Sequence, residues 1–303
     1  MRLRSAITLS LGAAAIALSA AWAAGLTGSE RRFEIEENGL RIGGLSGLAV
    51  LDYGARFLAL SDEGFLIEGS FTRDANGLTG AKATRSIPLG GPGGRALDAR
   101  GKEHDSEGLA ISSDGALSVS FEHVHRVAKY REPGIALPYP ALMRGLDLPE
   151  NGGIEALAVD GQDRLYIVQE QSAHGGDVPL MRLEGRRWSV LGKIHPSDGF
   201  VPVGADFGPD GMYYLLERKV ATLGFRSRIR RFDLSQPAPE VDGIFPAEVI
   251  WQSGLSLGNL EGLAIWTDPQ GVVHATMVAD NNFSAVLYGG MVSLVLAKSA
   301  GTM

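Results

Sequence analysis

Acidic residues stand beside a short apolar run in several related phrases of the chain. Glu107 lies in DSEGLAI, Glu155 in GGIEALAV and Glu261 in GNLEGLAI, while Asp206 lies in the related VGADFGPDG. Carboxylate oxygens are the ligands that Ca²⁺ and Mg²⁺ prefer in proteins. If the fold brought these four side chains together, they would form a site for a divalent cation.

The same phrases mark an internal repeat. Five copies of one unit, about 50 residues apart, begin at Ser46, Glu107, Glu155, Asp206 and Glu261. Each copy has an apolar strand, a turn rich in Asp and Gly, and a second strand. This order predicts a hairpin, because Asp and Gly tolerate the left-handed backbone of tight turns. Further alternating segments, such as LIEGSFTR and ATRSIPL in the first copy, predict a third and a fourth strand.

Four antiparallel strands in a repeat of this length are typical of a β-propeller blade. The last copy has room for only three strands, and RRFEIEE at 31–37 precedes the first copy without a hairpin partner. We therefore predict an all-β propeller with five blades, in which the N-terminal strand completes the last blade. Six blades would require one degenerate unit, for which the 88–106 segment leaves a little space. Residues 24–303 would form this single domain.

In a blade, the start of the first strand and the end of the second strand lie on the same face. Ser46 and the four acidic residues are therefore expected around the mouth of a central channel. A wider ring on that face would contain the residues that end the second strands, namely Asp62, Glu63, Glu122, Glu170, Glu217, Arg218 and Asp280.

Four carboxylates close to one axis repel one another unless they are protonated, paired with bases or bound to a cation. We predict that Glu107, Glu155, Asp206 and Glu261 hold a divalent cation, with Ca²⁺ as the expected ion. Amide oxygens would add ligands nearby, from Asn151, Asn259, Asn281 and Asn282. The alternative role is structural, since an acidic side chain at a strand start can accept backbone N–H groups and join adjacent blades.

Hydrolysis at such a site needs a general base and, for an anionic substrate, a cationic group. Glu122, Glu170 or Glu217 is the expected base, and Arg126 or Arg218 is the expected anion clamp. For Arg218, a salt bridge to a glutamate of a neighbouring blade is the structural alternative.

Several other kinds of site are excluded or disfavoured. The chain has no Cys, so it has no disulfide, thiolate ligand or Cys nucleophile. GLSGL at 44–48 lacks the final Gly of a G-x-S-x-G elbow, and the chain has no phosphate-binding GxxxxGK[ST] loop and no H-E-x-x-H spacing. His123 and His125 lie two apart, and a zinc site built on them is a weak candidate. Lys219 and His104 are further cationic partners for the acidic ring.

The N-terminus has the pattern of an export signal. Arg2 and Arg4 precede the apolar run ITLSLGAAAIALSA, and AWA at 21–23 has the small-x-small pattern of a cleavage site. We predict a signal peptide over residues 1–23 and a periplasmic or secreted protein, with a retained anchor as the alternative. Loss of the two arginines changes the net charge from −7 to −9, which disfavours a nucleic-acid partner. We expect no membrane span after cleavage, and a monomer.

Together these phrases resemble the exported bacterial family described as esterase-like activity of phytase. The matching stretches are LSGLAV with FLALSDEG, HDSEGLAI with SFEHVHRVAKY, NGGIEALAV with LYIVQEQ, YYLLERK with SRIRRFDL, and NLEGLAIW with MVADNNF. The resemblance spans 46–283 and implies a propeller-like fold and hydrolysis of phosphate or other esters, with calcium as a candidate cofactor. It implies no particular catalytic residues. The chain has SDEG where the family often has SDRG, so Glu63 replaces a cation by an anion and favours cation binding at this blade.

Two functional hypotheses follow. In the first, the protein is an exported hydrolase that uses a divalent cation on a small-molecule phosphoester or other ester. In the second, it is a non-enzymatic binding propeller whose acidic mouth captures a cation, a small ligand or a partner protein.

Overall fold

The alternating segments of each repeat form antiparallel sheets, and the computed structural model confirms the predicted five-bladed β-propeller. It describes residues 30–298 except 99, 101, 143–145, 147, 151, 257 and 284–286. The predicted signal peptide at 1–23 and Asn151 lie outside the described residues. Among the described residues, no helix has the length and apolarity needed to cross a membrane.

The strands are numbered in chain order, and one short 3-10 turn, Asp52–Gly54, interrupts them. They are β1 Arg31–Phe33, β2 Ile35–Glu36, β3 Leu45–Leu51, β4 Arg56–Ser61, β5 Phe65–Asp74, β6 Gly77–Pro88, β7 Ser106–Ile111, β8 Leu117–Phe121, β9 Arg126–Glu132, β10 Ile135–Leu137, β11 Ile154–Val159, β12 Leu165–Gln169, β13 Val178–Glu184, β14 Arg187–Ile194, β15 Val201–Phe207, β16 Tyr213–Ala221, β17 Gly224–Phe232, β18 Glu248–Gln252, β19 Asn259–Thr267, β20 Val272–Asp280 and β21 Gly290–Lys298.

Each blade begins with its innermost strand. Blades 1 to 4 contain β3 to β6, β7 to β10, β11 to β14 and β15 to β18, and blade 5 contains β19, β20, β21 and β1. The fourth strand of blade 2 is the shortest of these outer strands in blades 1 to 4, and Pro138 and Pro140 follow it directly. Proline lacks the N–H that a longer ladder would need.

The N-terminal segment closes the ring in the way the sequence predicts. Phe33 of β1 is paired with Met291 of β21, so β1 forms the outer edge of blade 5. The segment then crosses to blade 1, where β2 pairs in parallel with β6. One stretch of seven residues, 31–37, therefore contacts both the last blade and the first, which resists opening of the ring.

Apolar side chains fill the spaces between the blades. Five hydrophobic clusters of described residues lie one between each pair of adjacent sheets. Large fully buried rings contribute to them, including Phe57, Phe121, Tyr130, Tyr213 and Phe232. Because burial of apolar area is the main favourable term in folding, these clusters hold each sheet against its neighbours.

Every innermost strand carries one extra residue near its start. The pairing register with the second strand shifts by one there, which is a β-bulge. A bulge turns a side chain out of the regular alternation of the strand. The bulges fall at Ser46, Glu107, Glu155, Val203 and Glu261.

Small residues after the bulges let the inner strands meet at the axis. A Cβ atom on Gly204 would lie 2.2 Å from the carbonyl oxygen of Glu261, and one on Gly108 would lie 2.6 Å from that of Glu155. Leucine side chains fill the axis below, leaving a cavity of only about 10 Å³. That volume holds about one water at most, so the axis is closed and is not an open channel.

The close approach at the axis predicts a position-specific effect of an added methyl group. Gly204→Ala should lower the free energy of unfolding by about 1–3 kcal/mol, because the methyl would overlap the backbone of blade 5. Gly161→Ala is the matched control, since nothing lies within 4 Å of its Cβ position. Urea unfolding of both variants measures the difference, and equal midpoints would contradict the described packing.

Candidate functional site

Three of the bulged residues form the centre of an acidic site at one end of the axis. Burial raises the pKa of Glu107 well above its usual range, and Glu155 and Glu261 raise it further. Burial likewise raises the pKa of Glu155, with Glu170, Glu261 and Glu122 adding to it. Mutual repulsion of this kind requires the carboxyl groups to lie close together. We call this group and the polar residues around it the axial acidic site, namely Asp62, Asp105, Glu107, Glu122, Glu155, Glu170, Arg218, Asn259, Glu261 and Asp280.

The other two expected members of the inner ring have structural positions. The hydroxyl of Ser46 is buried and donates to the carbonyl oxygen of Ser106 at 2.7 Å, which joins blades 1 and 2. Asp206 lies at the far end of β15, and the bulged residue of blade 4 is Val203, three residues earlier. Asp206 is therefore not the counterpart of the three glutamates. The counterpart in blade 4 is the bulged Val203, which Gly204 follows as Gly108 follows Glu107.

Asp206 therefore does not face the other carboxylates. Its Oδ2 accepts the backbone N–H of Ile265 at 2.7 Å, and its Oδ1 accepts that of Phe207 at 2.8 Å. Burial raises its pKa to about 7, and the two hydrogen bonds oppose that rise. This is the blade-joining role that the sequence left open as the alternative.

Arg218 neutralises one side of the axial acidic site. Its Nη2 donates to Glu170 Oε1 at 2.8 Å, and its Nη1 donates to Glu261 Oε1 and to Asn259 Oδ1, the latter at 2.9 Å. Burial lowers the pKa of Arg218, but the surrounding carboxylates outweigh this and raise it overall. Burial raises the pKa of Glu261 to about 8 despite the opposing charge of Arg218. Both Nη atoms of Arg218 thus donate to site carboxylates, while its Nε is buried without a hydrogen-bond partner among the described residues.

On the opposite side of the site, no described arginine forms a hydrogen bond with a carboxylate, although the charge of Arg218 lowers the pKa of Glu155. Glu155 is 8 % exposed, and none of the described residues forms a hydrogen bond or an ion pair with its carboxylate. Asp105 interacts with Glu107 at this side, and burial together with the charge of Glu122 raises the pKa of Asp105. Asp62 borders this side, and burial together with Asp280 and Asp105 raises its pKa to about 7. Apart from His123 beside Asp105, this group of buried carboxyls has no hydrogen-bonded base among the described residues, and a bound cation would relieve its repulsion.

The candidate bases are not equivalent. Glu122 and Glu170 lie in the site, although Glu122 Oε1 accepts the backbone N–H groups of Gly152 and Gly153. Glu217 is fully buried and turned away from the axis. It accepts Arg228 Nε at 2.6 Å and two nitrogens of Arg230, so it is enclosed in an ion cluster between strands.

The candidate anion clamps are occupied as well. Arg126 lies off the axis, in a cavity of about 490 Å³ beside blade 2, and not among the acids. It donates to the carbonyl oxygens of Val124 and Glu103 and stacks on Phe121, with its guanidinium carbon 3.8 Å from the ring centre. The Nη atoms of both Arg126 and Arg218 already donate to oxygens of the protein, so binding a phosphate would require these contacts to break.

Further predicted neighbours are distributed around the rim. Lys219 donates to the carbonyl oxygen of Asp198 at 2.5 Å, and Glu63 pairs with Arg41 at the surface. Asn281 Oδ1 accepts the backbone N–H of Phe283, which leaves Asn259 as the buried amide among the site carboxylates. These contacts keep most rim groups out of the centre.

Asp62 and Asp105 were not assigned a site role from the sequence. Asp105 stands two residues before Glu107, and residues two apart in an extended segment share one side of the strand. That spacing was the available signal. The sequence placed Asp62 in the wider ring at the ends of the second strands but gave it no chemical role, because that role depends on the approach of blade 1 to blades 2 and 5.

The protein is a five-bladed propeller with an acidic site at one end of its axis. The chain belongs to the phytase-like family described as esterase-like activity of phytase, whose model matches residues 40–283. This confirms the family resemblance of the repeated phrases. A search of curated proteins found no match.

Several solved structures are similar to the chain. The calcium-binding protein regucalcin from Agrobacterium tumefaciens is 10% identical with a TM-score of 0.48, over 88% of this chain and 96% of that one. A gluconolactonase from Xanthomonas campestris is 12% identical with a TM-score of 0.41, over 84% and 87%. The PQQ-bound aldose sugar dehydrogenase from Streptomyces coelicolor is 14% identical with a TM-score of 0.42, over 88% and 99%.

Because the carboxyl pKa values are raised, we predict that the protein loses stability as the pH rises and that a bound cation restores it. The stability from protonated Asp62 and Glu261 is fully present below the unfolded pKa near 4, and is lost as pH rises through about 7 and about 8. We expect the Tm of metal-free protein to fall between pH 5 and pH 9. Added Ca²⁺ should restore it at the alkaline end, because the ion replaces the lost protons.

Thermal unfolding in EDTA and in Ca²⁺ across this pH range measures both effects. Glu155→Gln should flatten the pH dependence, because glutamine resembles the protonated carboxyl. Asp114→Asn is the control, since Asp114 is a surface acid paired with Arg131. A flat profile for the wild-type protein would contradict the description of the site.

Proposed function

We propose that the protein is a cation-dependent hydrolase of esters, and that the axial acidic site is its active site. The observation that carries this proposal is the buried carboxylate of Glu155 beside Glu107, which forms no hydrogen bond with the described residues and meets Arg218 only through its charge. The family to which the chain belongs supports the reaction class, because its description names esterase-like activity.

The donor set fits a hard divalent cation. Glu107 and Glu155 would hold the ion, with Asp105 beside them, and all of these ligands are oxygens, which suits Ca²⁺ or Mg²⁺. Glu261 belongs to the Arg218 side and would support the site from there. Asp206 is not included among the ligands, because its two oxygens accept backbone hydrogen bonds elsewhere.

Asp62 is the proposed general base. A general base works best when its pKa lies near the working pH, and burial raises that of Asp62 to about 7. Its Oδ1 is buried and accepts no hydrogen bond from the described residues. Glu170 is paired with Arg218, and Glu217 is enclosed by two arginines, so neither is as available to take a proton.

Hydrolysis would then proceed by attack of water on the ester carbonyl carbon. The bound cation would polarise the carbonyl and lower the pKa of the water. Asp62 would accept the proton of the attacking water and return it to the leaving alcohol as the carbon–oxygen bond breaks. Arg218 would keep Glu170 and Glu261 in place, and the closed axis below would exclude bulk water from that side.

Uncharged esters, including lactones, are the favoured substrates over phosphoesters. A phosphate group needs cations around it, and enzymes that bind one usually supply arginine or lysine. Here Arg218 is bonded to Glu170 and Glu261, and Arg126 is bonded to carbonyl oxygens away from the axis. The remaining acidic groups would repel a polyanionic substrate.

Variants of the site test this proposal directly. Glu155→Gln and Glu107→Gln should each weaken Ca²⁺ binding in calorimetry and lower kcat/KM by about a hundredfold, since cation polarisation is worth several kcal/mol. Asp62→Asn should keep Ca²⁺ binding and lower kcat by about a hundredfold, the range of general-base catalysis. Asp114→Asn should change neither quantity. Assays with ester, lactone and phosphoester panels, with and without EDTA, provide the rates.

Two outcomes would overturn the proposal. Full turnover in EDTA or in Glu155→Gln would exclude the site. Ca²⁺ binding that Glu155→Gln abolishes, without turnover of any ester, would instead support the second hypothesis of a non-enzymatic binding propeller.

We also propose that the protein is exported and acts in the periplasm or outside the cell. The basic, apolar and small-residue segments of residues 1–23 support this. Expression in a Gram-negative host with an intact secretion system should yield a soluble periplasmic protein whose N-terminus is Ala24, as measured by mass spectrometry. Full-length protein in the membrane fraction would support a retained anchor and contradict cleavage.

A further inference from the structure

A second group of metal-ligand atoms lies at the outer edge of the axial acidic site. Asp105, Glu122 and His123 meet where β8 ends, and one ligand atom from each lies within 4.8 Å of the others. His123 Nε2 is 2.9 Å from Asp105 Oδ2 and 3.6 Å from Glu122 Oε2. This group contains an imidazole nitrogen, which the proposed ligands at the centre of the axial acidic site lack.

The imidazole of His123 is not satisfied by its neighbours in either neutral tautomer. Lys102 Nζ lies 3.2 Å from the same Nε2 that faces Asp105. If Nε2 carries the proton, it donates to Asp105 but points a hydrogen at the Lys102 ammonium. If Nε2 carries no proton, it accepts a hydrogen bond from Lys102 but lies against the carboxylate of Asp105. The proton is then on Nδ1, which is buried and has no hydrogen-bond partner among the described residues.

Glu122 adds an oxygen that is directed into the same space. Its Oε1 is held by the backbone N–H groups of Gly152 and Gly153, so the side chain is fixed. Its side chain is 7 % exposed, and no described residue donates a hydrogen bond to its Oε2. The charge of a carboxylate on so buried a side chain is stabilised when a cation lies beside it.

We propose that Asp105, Glu122 and His123 form a second cation site, and that the Lys102 ammonium takes the place of the ion when no ion is bound. One imidazole nitrogen and two carboxylate oxygens suit a borderline divalent ion such as Zn²⁺ or Mn²⁺ better than Ca²⁺. A metal at Nε2 would accept its lone pair and bind both carboxylates, which removes the conflict at that nitrogen. This site can be tested apart from the hydrolase proposal, because His123 and Glu122 are not among the proposed Ca²⁺ ligands and a different class of ion is favoured, although Asp105 borders both sites.

Lys102 gives the site a built-in competitor. A lysine is a mobile point charge on a flexible stem, so it can leave when a divalent ion enters. Its positive charge opposes the ion until then. Removal of this charge should therefore tighten metal binding, whereas removal of an ordinary supporting residue would weaken it.

Equilibrium dialysis with Zn²⁺, in buffer that contains excess Ca²⁺, tests the proposal. The chain has no Cys, so no thiolate contributes to Zn²⁺ binding. Wild-type protein should bind one Zn²⁺ that His123→Ala and His123→Gln both lose. His195→Ala is the control, because His195 forms a His–Asp pair of 2.6 Å with Asp177 at an exposed position. Lys102→Met should bind Zn²⁺ about tenfold more tightly, since a nearby like charge is removed.

Cobalt substitution gives an independent readout of the nitrogen ligand. Co²⁺ should produce a visible absorption band in the wild-type and His195→Ala proteins, and not in the two His123 variants. Equal Zn²⁺ stoichiometry with and without His123, or weaker binding in Lys102→Met, would overturn the proposal. Tm measurements on the two His123 variants identify any loss that comes from unfolding.

The axial variants separate this inference from the proposed function. Glu155→Gln should lose Ca²⁺ and keep Zn²⁺, which supports two distinct sites. Loss of both ions in Glu155→Gln would mean a single shared site and would overturn the second one. Retention of Ca²⁺ in Glu155→Gln, with Zn²⁺ lost only in the His123 variants, would contradict the hydrolase site and support this one.

Discussion

The close packing of five inner strands around one axis is the constraint on which the rest of the molecule depends. Gly204 and Gly108 allow carbonyl groups of the next blade to approach where a methyl group would collide. Each inner strand accommodates this approach with one extra residue near its start, and that residue is turned toward the mouth. The acidic site is therefore a product of how the ring closes, because the bulged residues of three blades are glutamates.

These carboxyl groups lie close together and repel one another, and only some of them are neutralised by a nearby base. Arg218 donates hydrogen bonds to Glu170 and Glu261, while Glu155 and Glu107 have no hydrogen-bonded base among the described residues and Glu155 interacts with Arg218 only through its charge. Protons balance the charge in the absence of an ion, which is why the carboxyl pKa values rise. A cation would do the same at higher pH, so the same repulsion connects stability, ion binding and the proposed chemistry.

The arginines show how a structural demand can decide substrate class. Arg218 and Arg126 have the right charge for phosphate, yet one is held by carboxylates and the other by carbonyl oxygens. A guanidinium that satisfies buried groups is expensive to withdraw, since the groups left behind would be unpaired. Glu217 illustrates the same point for acids, because Arg228 and Arg230 enclose it completely. Residue type alone does not distinguish these roles.

The sequence by itself determined the repeat, the five blades, the closure by residues 31–37 and the positions of Glu107, Glu155 and Glu261, because turn chemistry and strand alternation are local properties. The register of blade 4 was not determined in this way: Asp206 occupies the expected phrase, but the bulge falls at Val203. The sequence also placed Asp62 on the mouth face, but its approach to the carboxyls of the other blades was decided only by the tertiary structure. Their distances depend on how separate sheets approach one axis, and no short stretch of sequence encodes that approach.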